Sequence, residues 1–96
     1  MKHPIVLVGS QSFWSQRESL NSLLPNGTVL LFDDKLSGND EDCSNIVGLV
    51  VADQPIGASH FSRFPSLKVI ARTGTGYDNI DVPAAKLRGI TVTRAA

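Results

Sequence analysis

Apolar residues in this chain gather into short runs, separated by polar stretches that carry glycine or proline. Ile5-Val6-Leu7-Val8 is uninterrupted, rich in β-branched side chains, and stops at Gly9. Such a run predicts a strand buried on both faces, as in parallel sheets. Ser15, with Glu18 three residues on, fits a capping box whose hydroxyl and carboxylate satisfy open amides at a helix start. Leu20, Leu23 and Leu24 follow at helical spacing, and Pro25-Asn26-Gly27 ends that segment. Thr28–Phe32 predicts a second buried strand and Ile46–Ala52 a third. Between them Asp33–Ser44 is polar, acidic and contains Gly38, so any helix there is short or absent.

Asp53–Gly57 reads as a loop, and Ala58–Phe64 as two turns of helix stopped by Pro65. Leu67–Ala71 predicts a fourth strand and Thr73–Asn79 a glycine-containing loop. Asp81 is placed to cap a helix, with Pro83 in its first turn and Gly89 just past its end. Lys86 and Arg88 fall where the negative end of that helix favours cations. Ile90–Thr93 predicts a fifth strand. Alternating helices and mostly apolar strands predict an α/β fold, a parallel five-stranded sheet with helices on both faces. The flavodoxin-like (Rossmann-like) order 2-1-3-4-5 suits five such strands. Nothing in these 96 residues follows the fifth strand to cover it, so the fold is expected to be truncated, with one layer incomplete.

That length supports one small domain. The chain is 42% hydrophobic and 19% charged, the balance of a globular protein rather than a disordered one. Nine basic and nine acidic side chains cancel without a basic cluster, which argues against nucleic acid as a partner. Ile5–Val8 and Ile46–Ala52, the longest apolar runs, are too short to span a membrane, and no signal-peptide pattern precedes them. Cys43 is the single cysteine, so no internal disulfide forms and a cytoplasmic location is expected.

Gly74 and Gly76 allow close approach of a ligand to the backbone, and successive amides in such a turn can hold an anion at the carboxyl end of a strand. The same loop is equally read as a tight connection in which Asp78 and Asn79 bond their own backbone. The wider stretch Leu67–Arg94, LKVIARTGTGYDNIDVPAAKLRGITVTR, resembles the D-isomer-specific 2-hydroxyacid dehydrogenases. The match runs through Gly74, Gly76, Asp78, Asn79, Asp81, Ala84, Ala85, Gly89, Ile90 and Val92, with support from Gly48–Val51 and Phe64–Lys68. The resemblance implies that residues 1–96 form the N-terminal, substrate-side domain of an enzyme interconverting a D-2-hydroxy acid and its 2-oxo acid. It further implies that the amides of Thr75 and Gly76, beside Gly74, hold the substrate carboxylate. NAD or NADP, the catalytic histidine with its carboxylate partner, and the catalytic arginine would belong to downstream sequence. Relatives specific for phosphoglycerate carry an arginine just after the third strand, where this chain has Ala52 and Asp53. That departure counts against a phosphorylated substrate.

No cofactor fingerprint is expected here. Gly74-Thr75-Gly76 lacks its third glycine, Asn79 standing in that place, and Gln11 and Trp14 occupy the glycine positions after Gly9. Asp33 and Asp34 end the second strand where a ribose-binding acid would sit. His3 and His60 read as non-catalytic surface residues, and Arg72 as either an anion sensor or an ordinary ion-pair residue. A calcium loop in Asp33–Ser44 fails, with Lys35 at its third position and Ser44 at its last. A receiver domain fails too, since Gly9-Ser10-Gln11 and Arg94 replace its acidic cluster and lysine. No metal site is expected, and the chain alone is expected to be inactive. The alternative is a non-catalytic binding module that self-associates as a homo-oligomer.

Overall fold

The computed structural model describes residues 3–18, 27–73 and 79–95. Its strands are β1 (Ile5–Val8), β2 (Val29–Phe32), β3 (Ile46–Val51), β4 (Val69–Thr73) and β5 (Thr91–Ala95). They form one sheet in the order β2-β1-β3-β4-β5, every neighbouring pair parallel. This is the expected order. Helices α1 (Gln11–Trp14), α2 (Ala58–Arg63) and α3 (Val82–Leu87) connect strands, and Cys43–Asn45 makes one 3-10 turn before β3.

One face of the sheet carries the core. Leu7, Leu49 and Ile70 stand in register across β1, β3 and β4, and all three are buried. Phe61 of α2, Ala85 of α3, and Phe64, Leu36, Ile56 and Ile80 from connecting segments pack into the same cluster. On the other face Val6, Gly48 and Val69 share a row. A Cβ at Gly48 would lie 3.2 Å from Val69 and 3.3 Å from Val6, so glycine lets these valines approach over β3.

Burial on both faces holds for the central strands β1 and β3, where Val8 and Val50 are sealed opposite the main core. It does not hold for β2. That strand has a neighbour on one side only, and Val29 and Phe32 remain 36% and 39% exposed. Val69 of β4 is 38% exposed although β4 has strands on both sides, so strand order alone does not set burial.

The first helix was not anticipated: Ser10 is its N-cap, and its hydroxyl accepts from the Phe13 amide at 3.3 Å. Ser15 closes α1 with helical dihedrals and donates to the Ser12 carbonyl at 2.7 Å. Helical backbone resumes at Arg17 and Glu18, just past Ser15, where the sequence predicted a helix start. Leu20, Leu23, Leu24, Pro25 and Asn26 lie outside the described residues.

The third helix follows the sequence closely. Asp81 caps it by accepting from the Ala84 amide at 3.1 Å, proline stands in its first turn, and Gly89 takes a left-handed φ of 73°. Arg88 acts differently from expectation. Its guanidinium donates to the Phe61 carbonyl at 3.0 Å and to Ser62 Oγ at 3.3 Å, so it ties α3 to the last turn of α2. Among the described residues, no helix is long and apolar enough to cross a membrane.

Candidate functional site

Open parallel sheets bind ligands beyond the carboxyl ends of their strands. The described part of that edge is formed by Gly9 after β1, Asp33 after β2, Ala52 after β3 and the end of β4 at Thr73. Gly74, Thr75, Gly76 and Asp78 lie outside the described residues. Both flanks of that segment are described, and two amide side chains organise them.

Asn79 stands where the chain returns from the 74–78 segment. Its Oδ1 accepts from Arg72 Nε at 2.8 Å, and its Nδ2 donates to the Gln54 carbonyl at 2.7 Å and the Ala52 carbonyl at 3.3 Å. These partners lie outside the turn, whereas one reading of the loop had Asn79 bonding its own backbone. The backbone reinforces the contact. Ile56 N–H donates to the Asn79 carbonyl at 2.8 Å and Asp81 N–H to the Ile56 carbonyl at 2.9 Å, forming an isolated parallel bridge between Ile56 and Ile80.

Gln54 extends the network across the sheet. Its Nε2 donates to the carbonyls of Gly9 and Asp34, each at 2.7 Å, and its Oε1 accepts from the Ala52 amide at 2.8 Å. Sequence reading passed over Gln54. The available signal was a polar, uncharged side chain two residues past a buried strand, where orphan backbone groups need partners.

At the ends of β1 and β2, Gly9 and Asp33 are both engaged within the fold. A Cβ at Gly9 would meet Gln54 Nε2 at 2.7 Å and Leu36 Cγ at 2.8 Å, so the backbone that would have to face a pyrophosphate is covered. Asp33 is engaged locally: Oδ1 accepts from the amides of Lys35 and Leu36, and Oδ2 from Gly38 at 2.7 Å. That carboxylate builds the β2–β3 connection, in which Leu36 is fully buried at a left-handed φ of 55°. Arg63 of α2 fastens the same connection through the carbonyls of Ser37 and Gly38 and through Asp40, 3.0 Å away.

A cleft of 490 Å³ opens beside the network, lined by Pro55, Ile56, Gly57, Ser59, His60, Asn79, Ile80 and Asp81. His60 is half-buried there and its Nδ1 accepts from the Gly57 amide at 3.4 Å. Removal from water pushes its pKa below the usual 6.5, favouring the neutral ring. His3 is exposed. Arg72, half-buried, turns toward Asn79. Cys43 donates its thiol to the Asn39 carbonyl at 3.2 Å, and no group of three or more metal-ligating side chains is assembled among the described residues.

Comparison with known proteins gives these features a family. The sequence model for "D-isomer specific 2-hydroxyacid dehydrogenase, catalytic domain" matches residues 13–96. A glyoxylate reductase of Korarchaeum cryptofilum is 45% identical over 53 residues, which make up 55% of this chain and 15% of that protein. A D-3-phosphoglycerate dehydrogenase of Mycobacterium tuberculosis is 43% identical over 47 residues, 49% of this chain and 9% of that protein. Among solved structures, the NADPH-dependent glyoxylate/hydroxypyruvate reductase of Sinorhizobium meliloti superposes with a TM-score of 0.72 at 26% identity, covering 98% of this chain and 29% of that one. The chain thus spans under a third of the length of these three proteins.

Proposed function

This chain belongs to the D-isomer-specific 2-hydroxyacid dehydrogenase family, and from that premise we propose that it forms the substrate-side domain of an enzyme interconverting a D-2-hydroxy acid and its 2-oxo acid with NAD or NADP. In this reading residues 1–96 are one unit of the catalytic domain. The nicotinamide-binding half, the general acid/base and the carbonyl-polarising cation come from chain outside them. The amides of Thr75 and Gly76, with Gly74 between them and β4, receive the substrate carboxylate.

The observation that carries this reading is the anchoring of both flanks of the 74–78 segment at the ligand-binding edge, Arg72 to Asn79 at 2.8 Å. Successive backbone amides at the carboxyl edge of a parallel sheet can meet an anion. The substrate class we propose is a small unphosphorylated 2-oxo acid. Asp53, exposed at the end of β3, puts a negative charge where a phosphate would need a cation.

Titration of the ¹⁵N-labelled chain with oxamate, an unreactive mimic of a 2-oxo acid, tests the carboxylate site. Saturable shifts at the Thr75 and Gly76 amides are expected. Shifts confined to residues elsewhere, or none, would remove the carboxylate role from this loop.

A further inference from the structure

We infer that the β2–β3 crossover is a strap, plugged by Leu36 and latched by Arg63, that opens as one local unit over the crevice between the ends of β1 and β3. The strand order reverses at that point, since β1 leads outward to β2 while β3 leads the other way to β4 and β5. Open parallel sheets take ligands in the crevice at such a reversal. Here the crevice is filled from within. A Cβ at Gly9 would meet Gln54 Nε2 at 2.7 Å and Leu36 Cγ at 2.8 Å, so an amide and an isobutyl group stand over the end of β1.

The connection that supplies Leu36 is long and thinly anchored. From Asp33 to Asn45 its helical structure is one 3-10 turn, and Leu36 is its buried residue, the others being half-buried or exposed. Leu36 also holds a φ of 55°, a left-handed conformation that is costly for a residue with a side chain. Such a conformation persists only while its surroundings impose it.

Polar ties on either side of the plug impose it. The Asp33 carboxylate accepts from the amides of Lys35, Leu36 and Gly38 at 3.0, 3.1 and 2.7 Å. Arg63 reaches across from α2 and donates to the carbonyls of Ser37 and Gly38 and to Asp40 Oδ1. Gln54 donates to the Asp34 carbonyl at 2.7 Å. The Arg63 latch lies at the surface, its side chain 38% exposed and that of Asp40 93%, so water competes for its bonds. When the latch lets go, withdrawal of Leu36 relieves its left-handed backbone and removes the apolar anchor of the strap in one step. The core cluster retains Leu49, Val51, Phe61 and Phe64 and need not open with it. Segments with few buried apolar contacts open in this way, below the free energy of global unfolding.

The experiment is amide hydrogen exchange on the ¹⁵N-labelled 96-residue chain and its Arg63→Gln variant, at several urea concentrations below the unfolding transition. The Lys35, Leu36 and Gly38 amides are expected to share one opening constant, roughly tenfold or more above that of the β1 and β3 amides and less sensitive to urea. Arg63→Gln, which leaves the core untouched, is expected to speed these three roughly tenfold and to leave β1 and β3 unchanged. Leu36→Cys, made with Cys43→Ser so that a single thiol is present, is expected to react with a thiol reagent in proportion to the same opening constant. Strap amides that exchange only together with the strands overturn the inference, because the crossover then opens only with the whole fold. Three unrelated opening constants overturn the single unit. Strap exchange unchanged in Arg63→Gln overturns the latch, and equal acceleration in the strands shows general destabilisation and overturns it too. A thiol at position 36 that stays unreactive while the strap amides exchange overturns the plug.

Discussion

At Gly9 the chain passes so close to its neighbours that a methyl group has no room, with Leu36 Cγ and Gln54 Nε2 both inside 3 Å of a built Cβ. Gln54 could swing away only by leaving the carbonyls of Gly9 and Asp34, and Leu36 is fully buried. Gly9→Ala is therefore expected to destabilise the fold by about 1–3 kcal/mol through overpacking, read from the urea midpoint at constant slope. An unchanged midpoint would mean that the end of β1 has slack. His60 offers a second test at this scale. Burial lowers its pKa from 6.5, and its Nδ1 accepts a backbone amide, so protonation is resisted in the fold more than in the unfolded chain. The unfolded state then binds more protons in the window below 6.5. The stabilising contribution is present above that pH and is lost as pH falls toward the folded pKa. His60→Gln is expected to flatten this part of the stability profile, and an equally steep profile in the variant would assign the slope to other groups.

Among the elements, α3 shows how far local chemistry reaches. Asp81, Pro83 and Gly89 were recognisable as start and stop signals, and each takes the role its residue type dictates. Asp81→Ala removes the acceptor for the Ala84 amide and is expected to cost about 1 kcal/mol in chemical unfolding, whereas Asp81→Ser should recover most of it. A loss equal in both variants would point to the carboxylate charge instead of the cap. For α1 no start signal was read in the sequence, although Ser10, just past β1, caps it. Arg88 gives a further case. Its position at the end of α3 suggested an effect on its own helix, yet the crossing of α2 and α3 brings the Phe61 carbonyl within 3.0 Å.

For the whole molecule, the sheet order follows from strand count and the alternation of strands with helices. The carboxyl edge of that sheet places the ends of β1 to β4 together, and the Gln54 and Asn79 amides occupy it. Among the described residues there, Gly9 is covered and Asp33 is committed to three backbone amides. The 96-residue chain is accordingly expected neither to enhance NADH or NADPH fluorescence nor to reduce glyoxylate with either cofactor. Saturable binding of either nucleotide would show that this domain builds a site its described geometry does not suggest.

The sequence by itself determined the elements, their order and the caps of α3, because buried-strand runs, Gly, Pro and Asp act through interactions only a few residues long. It also carried the family, through many matching positions in register between Leu67 and Arg94. Only the tertiary structure decided what Arg72, Gln54 and Asn79 do. For Gln54 and Asn79 the carbonyls of Gly9, Asp34, Ala52 and Gln54 that bind across the sheet edge lie 20 to 45 residues away along the chain, and no local pattern specifies such a meeting.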